Sequence, residues 1–241
     1  MNSNEFIREM AYKMRHFSIL KKILNPPFKF YKKRCSEEML KNFKKHGFEA
    51  LIQFNNCLNK HNIKYTFAFG TLLGAVREHD FIPHDDDLDF TMWIDDYTPE
   101  MLSYLEEYGF KHKFSFSVED DKYAKEDTFE YKGVLLDIFY VYKGKKEEMP
   151  YCCYFNIQPG CATRSSSVKK YGGLSTRKIF LPLSKDVEII DFKGLKVSIP
   201  TNYDEVLRTV FGDNYLTPIP GWTHDDLSKE MPEWLCKFKE Y

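Results

Sequence analysis

The 241-residue sequence contains no apolar run near the ~18–20 residues that a membrane-spanning helix needs. Between Met1 and Met14, charged and amide side chains stand where a secretory signal would have an apolar stretch. Only six cysteines are present, and no two have the C-x-x-C spacing of a zinc or redox motif. We therefore expect a protein that is made and kept in the cytoplasm, with reduced, structural thiols.

The sequence also lacks a strong charge of either sign, since its formal net charge is −1. A balanced charge argues against wholesale binding of nucleic acid. We find no internal repeat and no low-complexity segment. With 43% hydrophobic residues, the chain is long enough for one domain with a sizeable core, or for one domain with small appendages.

One segment departs from this balance. Residues 10–34 carry eight lysines and arginines and no acid, with apolar side chains interleaved. Asn25-Pro26-Pro27 predicts a break within it. Two interpretations stay open: a solvated helix that packs on the domain, or a peripheral contact with an anionic membrane. We predict a basic helical segment over 1–36 and a catalytic domain over 37–241.

Apolar periodicity predicts a chain of mixed helices and strands. Residues 143–185 show no clear pattern and are predicted to be irregular. Lys193-Gly194 predicts the turn of a hairpin. The predicted helices are 37–61, 98–108 and 202–210, with a short helical turn at 72–77, and the predicted strands are 63–69, 88–94, 110–118, 133–142, 187–191 and 195–199.

An acidic run, residues 85–89, stands at the start of one predicted strand. Alternate side chains of a strand point to the same face, so Asp87 and Asp89 converge while Leu88 and Phe90 face the core. Two converging carboxylates repel each other unless a cation lies between them. Magnesium, or manganese in its place, suits a site with few carboxylates and additional phosphate oxygens. Asp85 is an auxiliary on the same face, and Asp86 is not expected to be a ligand.

A third acid, Asp137, interrupts an apolar strand, where an uncompensated charge is costly. Such a local violation is expected at a functional site. If this strand neighbours that of Asp87 and Asp89, the three carboxylates can hold one or two metal ions. Two ions can clamp the attacking and leaving oxygens of a displacement at phosphorus.

The acidic run has other interpretations. An isolated aspartate run is most often a solvated loop. A calcium loop is excluded because Phe90 stands where glycine is required and Asp96 where glutamate is required. A histidine–aspartate metal hydrolase would use the adjacent pairs at 79–80, 84–85 or 224–225, but nothing in their spacing singles them out.

A glycine–threonine turn precedes the acids and favours phosphate chemistry. Gly70 would let the backbone approach a phosphate closely, and Thr71 would add a hydroxyl at the start of a helical turn. Glycine and threonine alone are a weak signal, but the turn followed by Asp-x-Asp on a strand is much stronger.

Residues 69–77, Phe-Gly-Thr-Leu-Leu-Gly-Ala-Val-Arg, and residues 81–89, Phe-Ile-Pro-His-Asp-Asp-Asp-Leu-Asp, resemble the signature of the LicD family. That family includes bacterial phosphocholine transferases and fukutin-type sugar-phosphate transferases. The resemblance extends more loosely to 136–139, 194–200 and 203–215, and covers about 60–220. The family usually has tryptophan at the position of His84 and glycine at that of Asp80, which puts details of donor or acceptor binding in doubt.

The resemblance implies an α/β (α+β mixed) fold with a nucleotidyltransferase-like central sheet flanked by helices. It also implies a magnesium (or manganese) ion held by Asp87, Asp89 and Asp137. Gly70, Thr71 and Arg77 would bind the donor phosphates, although Arg77 has an equal alternative in an ion pair with Asp85 or Asp86. Either Asp137 or Asp85 would accept the proton of the attacking hydroxyl.

The expected reaction transfers a phospho-alcohol, with phosphocholine as the best candidate, from a CDP-linked donor such as CDP-choline and releases CMP. The acceptor would be a sugar hydroxyl of a cell-surface glycan (lipopolysaccharide, capsule or teichoic acid), still on its lipid carrier at the inner face of the cytoplasmic membrane. Two rivals stay open: an Asp-x-Asp glycosyltransferase that uses Asp85 and Asp87, and an inactive assembly partner. No aromatic cage for choline can be assigned from the sequence, and Tyr65, Trp93, Tyr154 and Trp222 are only candidates.

Overall fold

The computed structural model describes residues 18–145, 148–219 and 228–241. Its strands are Thr66–Phe67 (β1), Asp87–Trp93 (β2), Lys111–Val118 (β3), Ala124–Tyr131 (β4), Val134–Val141 (β5), Tyr151–Asn156 (β6), Leu174–Phe180 (β7), Val187–Phe192 (β8), Leu195–Pro200 (β9) and Ser228–Glu240 (β10). Its α-helices are Ser18–Lys60 (α1), Phe69–Leu73 (α2), Glu100–Glu107 (α3), Arg164–Tyr171 (α4) and Tyr203–Phe211 (α5). A π-helical turn, Gly74–Glu78, follows α2, and a 3₁₀ turn, Ile94–Asp96, follows β2.

Eight of these strands form one mixed sheet in the order β1-β2-β5-β4-β3-β10-β7-β6, while β8 and β9 form a separate hairpin. β2 and β5 are parallel, and the other described strand pairs are antiparallel. Tyr142 at the end of β5 pairs with Tyr151 of β6 through two backbone hydrogen bonds of 2.8 and 3.0 Å. This bridge brings the last strand of the order back to β5, so the sheet curls. The expected mixed α/β class is confirmed.

Helix α1 packs against one face of this sheet at β2 and β5. Phe54 of α1 stacks on Phe90 of β2 with ring centroids 4.2 Å apart, and both rings are fully buried. Leu88 and Leu136 lie in the same core. Because side chains alternate along a strand, this packing leaves the odd-numbered residues of β2 and β5 on the opposite face. That face carries the acids.

Several predicted elements are found, with shifted ends. The helix predicted over 37–61 begins earlier, at Ser18, and continues through Pro26-Pro27, where a break was expected. Each proline removes a backbone donor and crowds the preceding turn, so this is the least favourable part of the helix. Helix α1 crosses the expected boundary at residue 36, and the division into 1–36 and 37–241 stays a prediction. Much of the basic segment 10–34 lies outside the residues whose side chains are described.

The prediction that 143–185 is irregular is wrong, since this part contains β6, α4 and β7. The strand pattern is obscured because Lys178 of β7 is buried: its ammonium lies 3.9 Å from the ring centroid of Tyr151 and 4.6 Å from that of Trp234. Aromatic faces stabilise a cation and so allow it inside. No described helix has the length and apolarity of a membrane span.

Candidate active site

The acids of β2 and β5 meet through the pairing of the two strands. Asp89 and Asp137 are register partners, and Asp87 lies opposite Leu135 two residues earlier on each strand. Alternation puts Asp87 on the same face as Asp89, as the sequence predicts. Three carboxylates from two strands therefore project from one patch of the sheet.

Asp87, Asp89 and Asp137 each offer one ligand oxygen within 4.8 Å of the others, and this is the one such group of acids, histidines or cysteines found among the described residues. All three donors are carboxylates, which suit a hard divalent cation such as Mg²⁺ or Mn²⁺. The set contains no histidine, so it does not fit the histidine–aspartate alternative. The pair His224-Asp225 lies outside the described residues.

Burial and mutual repulsion act on these carboxylates in the same direction. Burial, then the charges of Asp137, Asp86 and Asp85, raise the pKa of Asp87 to about 7. The pKa of Asp89 is raised well above its ordinary value by burial and then by the charge of Asp87. Burial also raises the pKa of Asp137, which the Thr128 hydroxyl and the charge of Arg164 oppose. A bound divalent cation would remove the cause of the repulsion.

The Gly70-Thr71 turn, at the start of helix α2, contacts two of the acids. Thr71 is 2% exposed, and its hydroxyl oxygen accepts a 2.9 Å hydrogen bond from the backbone N–H of Asp89. A Cβ on Gly70 would lie only 2.8 Å from Oδ2 of Asp85, so glycine is required for the carboxylate to approach this closely. The turn thus has a structural task in holding Asp85 and Asp89, and the binding of donor phosphate by Gly70 and Thr71 stays a prediction.

Asp85 stands apart from the three-acid cluster. Its carboxyl packs on Gly70, and burial raises its pKa to about 6, with smaller opposing contributions from His84 and Arg77. Asp86 is likewise outside the cluster of carboxylates within 4.8 Å.

A cavity of about 1070 Å³ opens beside the cluster, and Asp85 and Asp89 lie in its wall. Asp89 therefore belongs to both the cluster and the cavity. Much of the remaining wall is apolar, and it includes five aromatic side chains from different parts of the chain. These are Phe69, Phe139, Tyr154, Phe211 and Tyr215.

Arg77 also lines this cavity. Its Nη1 donates a 3.1 Å hydrogen bond to the backbone carbonyl of Tyr215, and its Nε donates to Glu78 at 2.7 Å. The guanidinium thereby ties the π-helical turn to the segment after α5, which forms another wall of the cavity. Its assignment to donor phosphate stays a prediction.

Of the three aromatic candidates that lie in the described part of the chain, only Tyr154 lines the cavity. Tyr65 is buried, and its hydroxyl donates to Asn55 at 2.5 Å. Trp93 lies under the ammonium of Lys185, 4.8 Å from the ring centroid. Trp222 lies outside the described residues.

Strand β4 adds two residues to the site that the sequence did not reveal. Thr128 is the register partner of Asp137, and its hydroxyl donates to Oδ1 of Asp137 at 2.5 Å. Glu126, two residues earlier, is on the same face and is buried. No strand was predicted here because Lys125 and Asp127, on the other face, are also buried, as an ion pair with an Nζ–Oδ2 distance of 3.2 Å. Apolar alternation is therefore absent.

A family model described as LicD/FKTN/FKRP, nucleotidyltransferase domain, matches residues 62–202, more than half of the chain. The chain belongs to this family. The match includes the β1–α2 turn, β2 and β5, and so all seven residues that the sequence singled out for the site.

The relatives of this LicD-family protein include two named transferases and an uncharacterised protein. The human ribitol-5-phosphate transferase FKTN is 27% identical over 75% of this chain and 35% of its own length. The lipopolysaccharide cholinephosphotransferase LicD of Haemophilus influenzae is 43% identical over 20% of this chain and 18% of its own length. An uncharacterised protein of Rickettsia prowazekii is 33% identical over 46% and 41%. The chain spans at most about two fifths of the length of these relatives.

Proposed function

We propose that this LicD-family protein is a metal-dependent transferase that moves a phospho-alcohol from a CDP-linked donor to a sugar hydroxyl and releases CMP. The observation that carries the proposal is the convergence of three carboxylates, Asp87, Asp89 and Asp137, one of which, Asp89, lies in the wall of a cavity large enough for a nucleotide-linked donor. The names of the FKTN and LicD relatives support phospho-alcohol transfer as the reaction class.

The chain's own residues would divide the work. Asp87, Asp89 and Asp137 would hold Mg²⁺ or Mn²⁺, which when bound neutralises diphosphate charge and polarises the phosphoryl oxygen. Gly70, Thr71 and Arg77 would bind and orient the donor phosphates.

Proton transfer falls to a carboxylate outside the metal set. Asp85 lines the cavity, is not part of the three-acid cluster and is therefore the better candidate than Asp137 to accept the proton of the attacking hydroxyl. A base placed in this way contributes typically ~10²–10⁴-fold.

The lining of the cavity favours choline as the alcohol of the donor. Phe69, Phe139, Tyr154, Phe211 and Tyr215 present aromatic rings, and the faces of such rings attract a quaternary ammonium. A polyol such as ribitol would instead need many hydrogen-bonding partners in the wall. CDP-choline is therefore the proposed donor.

The acceptor is proposed to be a lipid-linked precursor of lipopolysaccharide, capsule or teichoic acid at the inner face of the cytoplasmic membrane. The basic segment 10–34 is the proposed peripheral contact with anionic lipid.

Deletion of residues 1–34 should reduce flotation with anionic vesicles. Unchanged flotation would show that this segment is not the contact.

The function is tested by incubating the protein with Mg²⁺ and a panel of CDP-choline, CDP-ethanolamine, CDP-glycerol and CDP-ribitol, with glycan acceptors, and measuring CMP and the phosphorylated product. We expect Mg²⁺-dependent CMP release, greatest with CDP-choline. Release of UDP or GDP from nucleotide sugars would instead establish the glycosyltransferase alternative. Absence of any Mg²⁺- and nucleotide-dependent thermal shift would contradict the proposed function and favour the inactive assembly partner.

A further inference from the structure

Glu126 lies in a row of side chains that crosses the sheet next to the acids. Its register partners are Phe139 on β5 and Phe116 on β3, and Phe116 in turn pairs with Phe238 on β10. Directly paired side chains share a face, so this row lies on the face of Asp137 and Thr128. Glu126 is thus a fourth carboxyl beside the metal site.

A buried carboxylate at the position of Glu126 needs a positive charge nearby to stabilise it. Glu126 is only 9% exposed, and burial raises its pKa well above the ordinary value. The charge of Asp137 raises this pKa further, whereas the guanidinium of Arg164 lowers it. Glu126 therefore senses the positive charge of Arg164.

Packing fixes the position of that charge. The guanidinium carbon of Arg164 lies 4.7, 5.1 and 5.3 Å from the ring centroids of Phe114, Phe116 and Phe238. Two of these rings belong to the row that contains Glu126. Stacking on aromatic faces suits the planar guanidinium.

Helix capping also fixes the backbone at Arg164. Arg164 is the first residue of α4, where the Thr163 hydroxyl accepts a 3.0 Å hydrogen bond from the N–H of Ser166 and the Ser166 hydroxyl completes a capping box. Helix α4 packs against β7 and β10. The guanidinium of Arg164 is therefore held in place by the three phenylalanine rings and by helix α4.

We propose that Arg164 is a positioning residue of the active centre. Held on three phenylalanine rings over the face that carries Glu126 and Asp137, its fixed charge offsets the repulsion among these acids and keeps the metal site assembled before metal binds. The inference rests on the proposed function in one respect, namely that the three aspartates are a metal site.

The test is thermal unfolding of the full chain, with chelator and then with Mg²⁺, at mildly alkaline pH. Arg164→Gln should lower the melting temperature of the metal-free protein by about 5 °C. Glu126→Gln in the Arg164→Gln background should recover most of this loss, because it removes the uncompensated negative charge. Arg164→Lys should retain most of the melting temperature, and Mg²⁺ should raise that of Arg164→Gln by more than that of the wild type.

A matched control removes a cation from the exposed side of the same helix: Lys169→Gln should change none of these values. If the double variant is as unstable as Arg164→Gln, Arg164 acts only through its packing on the rings and the proposal is overturned. An unchanged melting temperature for Arg164→Gln also overturns it. The thermal unfolding measurements contain no CDP-linked donor. A failure to release CMP from any CDP-alcohol would therefore reject the proposed function without changing the comparison of melting temperatures.

Discussion

Asp89 and Asp137 are direct register partners on the parallel strands β2 and β5, although 47 positions separate them in the sequence. With Asp87 they place three carboxylate oxygens within 4.8 Å of one another. In the absence of a cation this arrangement is destabilising, so the residues that favour metal binding lower the stability of the metal-free protein.

Asp87→Asn and Asp89→Asn should each reduce transfer by at least about a hundredfold, because each removes an oxygen ligand of the proposed metal. The melting temperature of the metal-free variants should rise, since the amide does not repel the remaining acids. CMP release and thermal unfolding in chelator measure the two effects. Near-wild-type transfer in either variant would rule out its assignment as a ligand.

The pH dependence of stability has a defined sign. The pKa of Asp87 is raised from 3.8 to about 7 in the folded, metal-free protein, so the folded state binds this proton more tightly than the unfolded chain does. The contribution of Asp87 to stability is therefore fully present below about pH 4 and is lost as pH rises to about 7. The melting temperature of Asp87→Asn should exceed that of the wild type by an amount that grows across this range. A difference that is constant with pH would contradict it.

Gly70→Ala should lower transfer by about ten- to a hundredfold while the protein remains folded, because the new Cβ would meet the Asp85 carboxylate at 2.8 Å and displace it. Gly194→Ala provides the opposite case: its Cβ meets nothing within 4 Å, but its φ of +83° is strained for alanine. That control should lose stability and keep activity. Equal activities for the two variants would argue against a functional role for the Gly70–Asp85 contact.

Thr71→Val should destabilise the protein by about 1–3 kcal/mol, since the buried N–H of Asp89 would lose its acceptor. Thr71→Ser keeps the hydroxyl and should retain most of this stability. Chemical denaturation of both variants measures the difference. If valine and serine are equally stable, the hydroxyl does not hold the β2 backbone.

The local part of the site could be predicted from the sequence. Asp87, Leu88 and Asp89 follow the alternation of a half-buried strand, and Leu88 is indeed fully buried while the acids share the other face. The adjacency of Asp137 depends on the pairing of β2 with β5, which no local pattern encodes. From the residues, this adjacency is only a condition on the order of the strands, and the family resemblance implies it.

Strands β4 and β7 were not predicted from the sequence, and both contain buried charged residues. In β4, Lys125 and Asp127 neutralise each other inside the protein, and in β7, Lys178 is enclosed by aromatic rings, so neither strand alternates between apolar and polar residues. Glu126 and Arg164 lie in these unpredicted parts of the chain. Their relation to Asp137 emerges only when β3, β4 and β10 are aligned in one sheet.

The most direct test of the central claim is Mn²⁺ binding, measured calorimetrically at neutral pH for the wild type, Asp89→Asn and Asp86→Asn. Asp86 is the matched control, because it is an adjacent acid outside the three-carboxylate cluster. We predict that Asp89→Asn weakens Mn²⁺ binding by about a hundredfold or more, while Asp86→Asn stays within about threefold of the wild type. Wild-type affinity in Asp89→Asn would contradict the assignment of the metal to Asp87, Asp89 and Asp137.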